Sequence, residues 1–184
     1  CMMDIDSTGK IIDHKISESV INVDRRMSYT SVKKILTDND TDTINEYKDF
    51  VPMFKLMEEL ATILRKKRKQ RGSIDFDFPE CKIVLDKSGR PLDIKPYERN
   101  TATKIIEDFM LAANETVAED YFWQQIPFVY RTHDTPDKDK INELAAFINN
   151  FGYSIKVSSD EIHPKELQKL MEKIEGSEEE NLIS

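Results

Sequence analysis

Cys81-Lys82-Ile83-Val84-Leu85-Asp86-Lys87-Ser88-Gly89-Arg90-Pro91-Leu92-Asp93-Ile94 is the stretch on which the fold turns. Two extended runs, 81–86 and 91–94, flank Lys87-Ser88-Gly89, and this reads as a β-hairpin around a glycine-containing turn. Met2-Met3-Asp4-Ile5-Asp6 and Ile11-Ile12-Asp13-His14-Lys15-Ile16 flank Ser7-Thr8-Gly9 in the same way. Both turns run Asp, two residues, Gly, basic residue. Common turn chemistry accounts for the likeness better than an internal repeat does.

Helical patterns fill most of the remaining chain. Ser28 or Thr30 is placed to cap a short helix through Val32, Ile35 and Leu36. The polar stretch 37–43 reads as a loop. A long helix is then expected over 44–69, with Phe50, Val51, Phe54, Met57, Leu60, Ile63 and Leu64 as one apolar stripe and Pro52 marking a start or a kink. A second long helix covers about 101–123. Thr135 is read as the cap of a helix that starts at Pro136, carries Leu144, Phe147, Ile148 and Phe151 and stops at Gly152. A last helix starts near Pro164 and buries Leu167, Leu170, Met171 and Ile174. Further strands are expected at 74–78 and 128–131. Strands and helices do not alternate as βαβ units, so the class is α+β, with mixed or antiparallel strands and hairpins packed on long helices. The 184 residues are expected to form one domain.

Composition narrows the function. Apolar residues make up 39% and charged residues 34%, as in a soluble globular protein. No apolar run reaches the roughly 18 residues a membrane helix requires, so no membrane partner is expected. Cys1 and Cys81 form neither a CxxC pair nor part of a His-rich set, which makes a reduced, cytoplasmic setting the default. Three dispersed histidines argue against a metal site, and no P-loop, GxGxxG, HExxH or GxSxG pattern is present. A net charge of −8 weighs against binding nucleic acid through bulk charge alone. The one basic cluster, Arg65-Lys66-Lys67-Arg68-Lys69-Gln70-Arg71, ends the first long helix, where the backbone dipole favours cations. It is also a candidate contact for RNA phosphates.

Individual residues have plain readings. In Ile74-Asp75-Phe76-Asp77-Phe78, alternation puts Ile74, Phe76 and Phe78 on one face, as a core strand with an acidic outer face. On the 101–123 helix, a wheel at about 100° per residue gathers Ile105, Ile106, Phe109, Met110, Ala113 and Val117 into a core arc. Lys104, Asp108, Glu115 and Glu119 fall on a polar stripe, while Glu107 falls at the edge of the apolar arc. Asp108 is thus the expected solvated acid. Glu107 is the acid held near the core, needing Asn114 or a basic side chain as partner. Tyr29 reads as an aromatic at the start of a helix.

Taken in order, three blocks carry a more specific signal: Arg71-Gly72-Ser73-Ile74-Asp75-Phe76-Asp77-Phe78-Pro79-Glu80, Ile105-Ile106-Glu107-Asp108-Phe109-Met110-Leu111-Ala112-Ala113-Asn114-Glu115-Thr116-Val117-Ala118-Glu119 and Pro127-Phe128-Val129-Tyr130-Arg131-Thr132-His133-Asp134-Thr135-Pro136. Together they resemble the catalytic (RNB) domain of the ribonuclease II/ribonuclease R exoribonucleases, the bacterial ribonuclease R branch above all. The resemblance implies processive hydrolysis of single-stranded RNA from the 3′ end to 5′-mononucleotides, with Mg²⁺ as cofactor. It also implies that the metal-binding aspartates lie before Cys1 and the catalytic arginine after Ser184. The chain is then a middle-to-C-terminal piece of the catalytic domain, inactive alone, with no catalytic residue and no metal ligand of its own. The final run from Ser177 starts like a new helix and stops as apolar residues appear, which suits such a piece.

The resemblance assigns substrate grip to three positions. Phe76 stacks on a base near the 3′ end. Glu107, or Asp108 beside it, accepts hydrogen bonds from the terminal ribose hydroxyls and so separates RNA from DNA. Tyr29 positions the RNA end and sets the length of the last product. Arg131 is an RNA-binding candidate, because its guanidinium suits a phosphate. His133 reads as structural. Two alternatives stand beside this reading: a non-catalytic RNA-binding or protein-interaction module of the same fold, and self-association through surfaces that a longer protein covers.

Overall fold

The computed structural model describes residues 1–74, 81–96, 99–156 and 162–183. Most of the expected 74–78 strand, including Phe76, lies outside them. The described elements run β1 (Met2–Ile5), β2 (Ile11–Lys15), α1 (Tyr29–Leu36), α2 (Thr41–Glu46), α3 (Val51–Arg71), β3 (Cys81–Leu85), β4 (Pro91–Pro96), α4 (Thr101–Trp123), α5 (Lys138–Asn149), α6 (Pro164–Ile174) and α7 (Glu180–Ile183). The class is α+β, and both strand pairs are antiparallel hairpins. The chain clusters into two compact units. Unit 1 is built from the described residues of Cys1–Lys67 and Phe78–Phe128, unit 2 from those of Arg68–Asp77 and Val129–Ser184.

The two hairpin turns have the same bonding, as their shared spacing implies. Asp6 Oδ1 accepts from the Thr8 N–H, the Thr8 hydroxyl and the Lys10 N–H. Asp86 Oδ1 accepts from the Ser88 N–H, the Ser88 hydroxyl and the Arg90 N–H. Gly9 and Gly89 sit at φ 78° and 82°, a region that favours glycine. The hairpins differ in burial. A Cβ on Gly9 would come within 2.9 Å of Ile63 Cγ2, so β1–β2 packs tightly on α3, whereas around Gly89 there is open space. Lys67 Nζ also donates to the Gly9 carbonyl. In β3–β4, Ile83 pairs with Ile94, and both are more than half exposed, as are Leu85 and Leu92.

α4 matches its expected span because both ends are specified locally. The Asn100 side chain accepts from the Thr103 N–H while the Thr103 hydroxyl accepts from the Asn100 N–H, a reciprocal cap of the first turn. α1 starts where Ser28 accepts from the Ser31 N–H, and it packs on α4. Ile35, Phe54, Ala61, Ala102 and Ile105 are the buried apolar residues of unit 1.

Four expectations are corrected. The single helix over 44–69 is two helices. Pro52 has no N–H to bond back to residue 48, so the chain turns at 47–50 and Pro52 occupies the first turn of α3, where that bond is not needed. Part of the supposed loop at 37–43 is helical, because Asp40 caps α2 by accepting from the Thr43 N–H. The helix expected from Pro136, α5, begins later: Asp137 is its cap, accepting from the Asp139 and Lys140 N–H groups. Residues 128–131 form no strand; the segment is exposed, with Val129 93% accessible, and no described strand pairs with it.

In unit 2, Ile148, Leu170 and Ile174 form the core, with Leu144, Tyr153, Ile155, Met171 and Ile183 against them. His163 caps α6 through Nδ1, which accepts from the Lys165 N–H, and Pro164 follows at the first helical position. Phe147 and Phe151, expected in the core stripe, are exposed and meet edge to face at 5.3 Å. Gln168 donates to the carbonyls of Lys69 and Ser73, closing the end of α3 within this unit.

Candidate nucleic-acid interface

α4 carries two adjacent acids in opposite settings, the reverse of the expected ones. Asp108 is 3% exposed. It accepts from Arg65 Nη2 at 2.5 Å, and the same nitrogen donates to the Lys104 carbonyl. Ala102, Ile105, Asp108 and Thr116 recur at helical spacing as the buried line of α4, while Met110 is 59% exposed. The wheel placed Asp108 outside because it ranked positions by hydrophobicity. A buried carboxylate is stable there because α3 delivers Arg65 as its counter-ion and donor. Thr116 adapts similarly, donating its hydroxyl back to the Ala112 carbonyl.

Glu107 is the accessible acid, with its side chain 38% exposed. Its partner is a basic side chain and not Asn114: Arg99 Nη2 lies 2.9 Å from each carboxylate oxygen. Arg99 directly precedes the Asn100 cap, so the reciprocal cap that starts α4 also fixes where Arg99 leaves the backbone. Neither arginine was singled out from sequence as a partner. Arg65 was one member of a basic cluster, and Arg99 stands eight residues before Glu107, outside the three- and four-residue spacings that reveal helix pairs.

The other candidates are placed separately. Tyr29 is the first residue of α1 and is 47% exposed. Because α1 packs on α4, Tyr29 and Glu107 belong to neighbouring helices of one unit. Phe76 lies outside the described residues. Arg131 lies in unit 2, on exposed irregular chain. Of the basic cluster, Arg65 and Lys67 make the internal bonds already described, while Lys66, Lys69 and Arg71 are exposed. His14 Nε2 sits 3.1 Å from Asp120 Oδ1. The Asp120 carboxyl is held below its ordinary range, first by the Gln124 amide and then by His14. Among the described residues no group of three or more His, Cys, Asp or Glu side chains is placed to hold a metal ion. No helix among them is long and apolar enough to cross a membrane.

The RNB domain family model matches residues 1–184. The chain belongs to the RNB domain family. Ribonuclease R 1 of Lactococcus lactis subsp. lactis (strain IL1403) is 38% identical to it over 184 residues, 100% of this chain and 22% of that protein. Ribonuclease R of Aquifex aeolicus (strain VF5) is 39% identical over 181 residues, 98% of this chain and 25% of that protein. This RNB chain thus spans about a quarter or less of the length of these relatives. Among solved structures, Mycoplasma genitalium RNase R in complex with ribose methylated single-stranded RNA superposes with a TM-score of 0.83 at 24% identity, over 98% of this chain and 28% of that one. At that identity the likeness concerns the fold, and it agrees with the α+β arrangement of hairpins and helices.

Proposed function

We propose that this chain is part of the catalytic domain of a ribonuclease R-type exoribonuclease that degrades RNA from the 3′ end to 5′-mononucleotides. The RNB family match over residues 1–184 carries the proposal. Both compact units belong, on this reading, to one RNB domain, in a soluble cytoplasmic enzyme that uses Mg²⁺. The chain's own residues grip substrate. Glu107 accepts hydrogen bonds from the terminal ribose hydroxyls, Tyr29 positions the RNA end, Phe76 stacks on a base and Arg131 holds a phosphate. Exposure favours Glu107 over Asp108 as the ribose acid, because Asp108 is occupied by Arg65 below the surface. Stacking is worth roughly 1–3 kcal/mol per base and tolerates any sequence, which suits a processive enzyme.

The test compares two proteins: the 184-residue chain, and the product of the full reading frame that contains it. Each is incubated with Mg²⁺ and end-labelled poly(A). The longer protein is expected to release mononucleotides steadily, and the 184-residue chain none. Mononucleotide release by the short chain would overturn its inactivity, and none by the longer protein would overturn the enzyme reading.

A second reading, an interaction module without chemistry, is favoured by one observation. The β3–β4 hairpin presents Ile83, Leu85, Leu92 and Ile94 to solvent. A reading frame bounded by stop codons close to both ends of this chain would select it.

A further inference from the structure

We infer that Arg99 is the positioning residue for Glu107, and that it sets RNA-over-DNA selection at the 3′ end. The inference rests on the proposed ribose-binding role of Glu107. An ionised carboxylate has about four acceptor positions, two on each oxygen. Arg99 Nη2 contacts both oxygens at 2.9 Å and takes one position on each. The Glu107 side chain is 38% exposed, and each oxygen keeps a second acceptor position. A ribose end brings two vicinal hydroxyl donors to such a carboxylate; a 2′-deoxy end brings one. Without Arg99, a partly exposed glutamate turns freely about its side-chain torsions, and the carboxylate is no longer held in one orientation.

Two features locate this contact. The Asn100–Thr103 cap pins the backbone next to Arg99. The Arg65–Asp108 pair ties α4 to α3 one residue beyond Glu107, which holds the rotation of the helix. Arg99 therefore acts through Glu107's orientation and need not touch RNA. A single nitrogen makes both contacts, so a lysine ammonium can replace it in part, whereas a glutamine lacks the charge.

The experiment uses the product of the full reading frame, in EDTA so that no RNA is cut. Dissociation constants are measured for two oligonucleotides that differ only in a 2′-hydroxyl or a 2′-hydrogen at the 3′-terminal sugar. Their ratio is compared across wild type, Arg99→Gln, Arg99→Lys, Glu107→Gln and the Arg99→Gln/Glu107→Gln double variant. Arg99→Gln is expected to reduce the ribo/deoxy ratio by about tenfold, the scale of a hydrogen bond to a charged group. Arg99→Lys should restore most of it, and the double variant should match Glu107→Gln alone. A wild-type ratio in Arg99→Gln, beside a collapsed ratio in Glu107→Gln, overturns the positioning role and leaves the ribose reading standing. Equal weakening on both oligonucleotides makes Arg99 a phosphate or structural contact and also overturns the inference. A wild-type ratio in Glu107→Gln removes the ribose reading and this inference with it. Should Arg99→Gln fail to fold, Arg99→Met takes its place: a wild-type ribo/deoxy ratio overturns the positioning role, and a ratio reduced toward that of Glu107→Gln supports it.

Discussion

At the scale of single residues, Asp108 and Glu107 are neighbours in sequence and opposites in environment. The Asp108 side chain is 2% exposed and the Arg65 side chain 28%, so the pair is largely withdrawn from water. Removing one member leaves the other charge without this partner, buried in the case of Asp108 and partly withdrawn from water in the case of Arg65. Asp108→Asn is expected to destabilise the chain by about 3 kcal/mol, measured by urea unfolding, while Arg65→Met/Asp108→Leu costs much less because no charge remains unpaired. Equal losses in the two variants would show that the pair contributes net attraction. Glycine gives a second residue-scale contrast. Gly9→Ala meets both a left-handed backbone and Ile63 at 2.9 Å, whereas Gly89→Ala meets the backbone penalty in open space. Melting should place Gly9→Ala below Gly89→Ala by about 1 kcal/mol or more.

At the scale of elements, the two hairpin turns each hold an aspartate in the same way. Asp6 is held below its ordinary carboxylate value of 3.8, first by the Thr8 hydroxyl and next by the Lys10 N–H. Asp86 is held below 3.8 first by the Ser88 hydroxyl and next by the Arg90 N–H. A depressed folded pKa stabilises the hairpin above the unfolded value and loses that stability as pH falls through the folded value. Both turns should therefore hold at pH 5 and loosen only below 3.8. NMR titration of the Asp6 and Asp86 carboxylates should give midpoints below 3.8, with Thr8→Ala and Ser88→Ala each moving its aspartate upward. An Asp6 midpoint unmoved in Thr8→Ala refutes the assignment.

Elements were also what the sequence revealed best, wherever a local chemical signal marked them. The Asp-x-x-Gly turns, the Ser28 cap, Pro164 and the Asn100–Trp123 span all lie within a few residues of their determinants. The failures involve partners distant in the chain. Asp108 was misplaced because its counter-ion comes from 43 residues away. Residues 128–131 have strand-like composition, yet a strand exists only where another pairs with it. At the candidate site the sequence indicated which acids to consider. Their order of exposure depended on Arg65 and Arg99.

At the scale of the whole molecule, the exposed hairpin β3–β4 connects the fold to its context. A two-stranded ribbon with one apolar side is marginal in water without cover. The isolated chain is expected to self-associate, with a sedimentation coefficient that rises with concentration. Ile83→Thr/Ile94→Thr, which replaces a facing pair, should abolish most of that rise. A concentration-independent coefficient for the unaltered chain would remove the prediction.

Glu107 is proposed to hold the terminal ribose of an RNA. The most direct test is an experimental structure of the full reading-frame product with a 3′-hydroxyl oligoribonucleotide. The Glu107 carboxylate is expected within hydrogen-bonding distance of the terminal ribose hydroxyls, with Arg99 still bonded to it. An RNA end seated away from Glu107 would overturn this role.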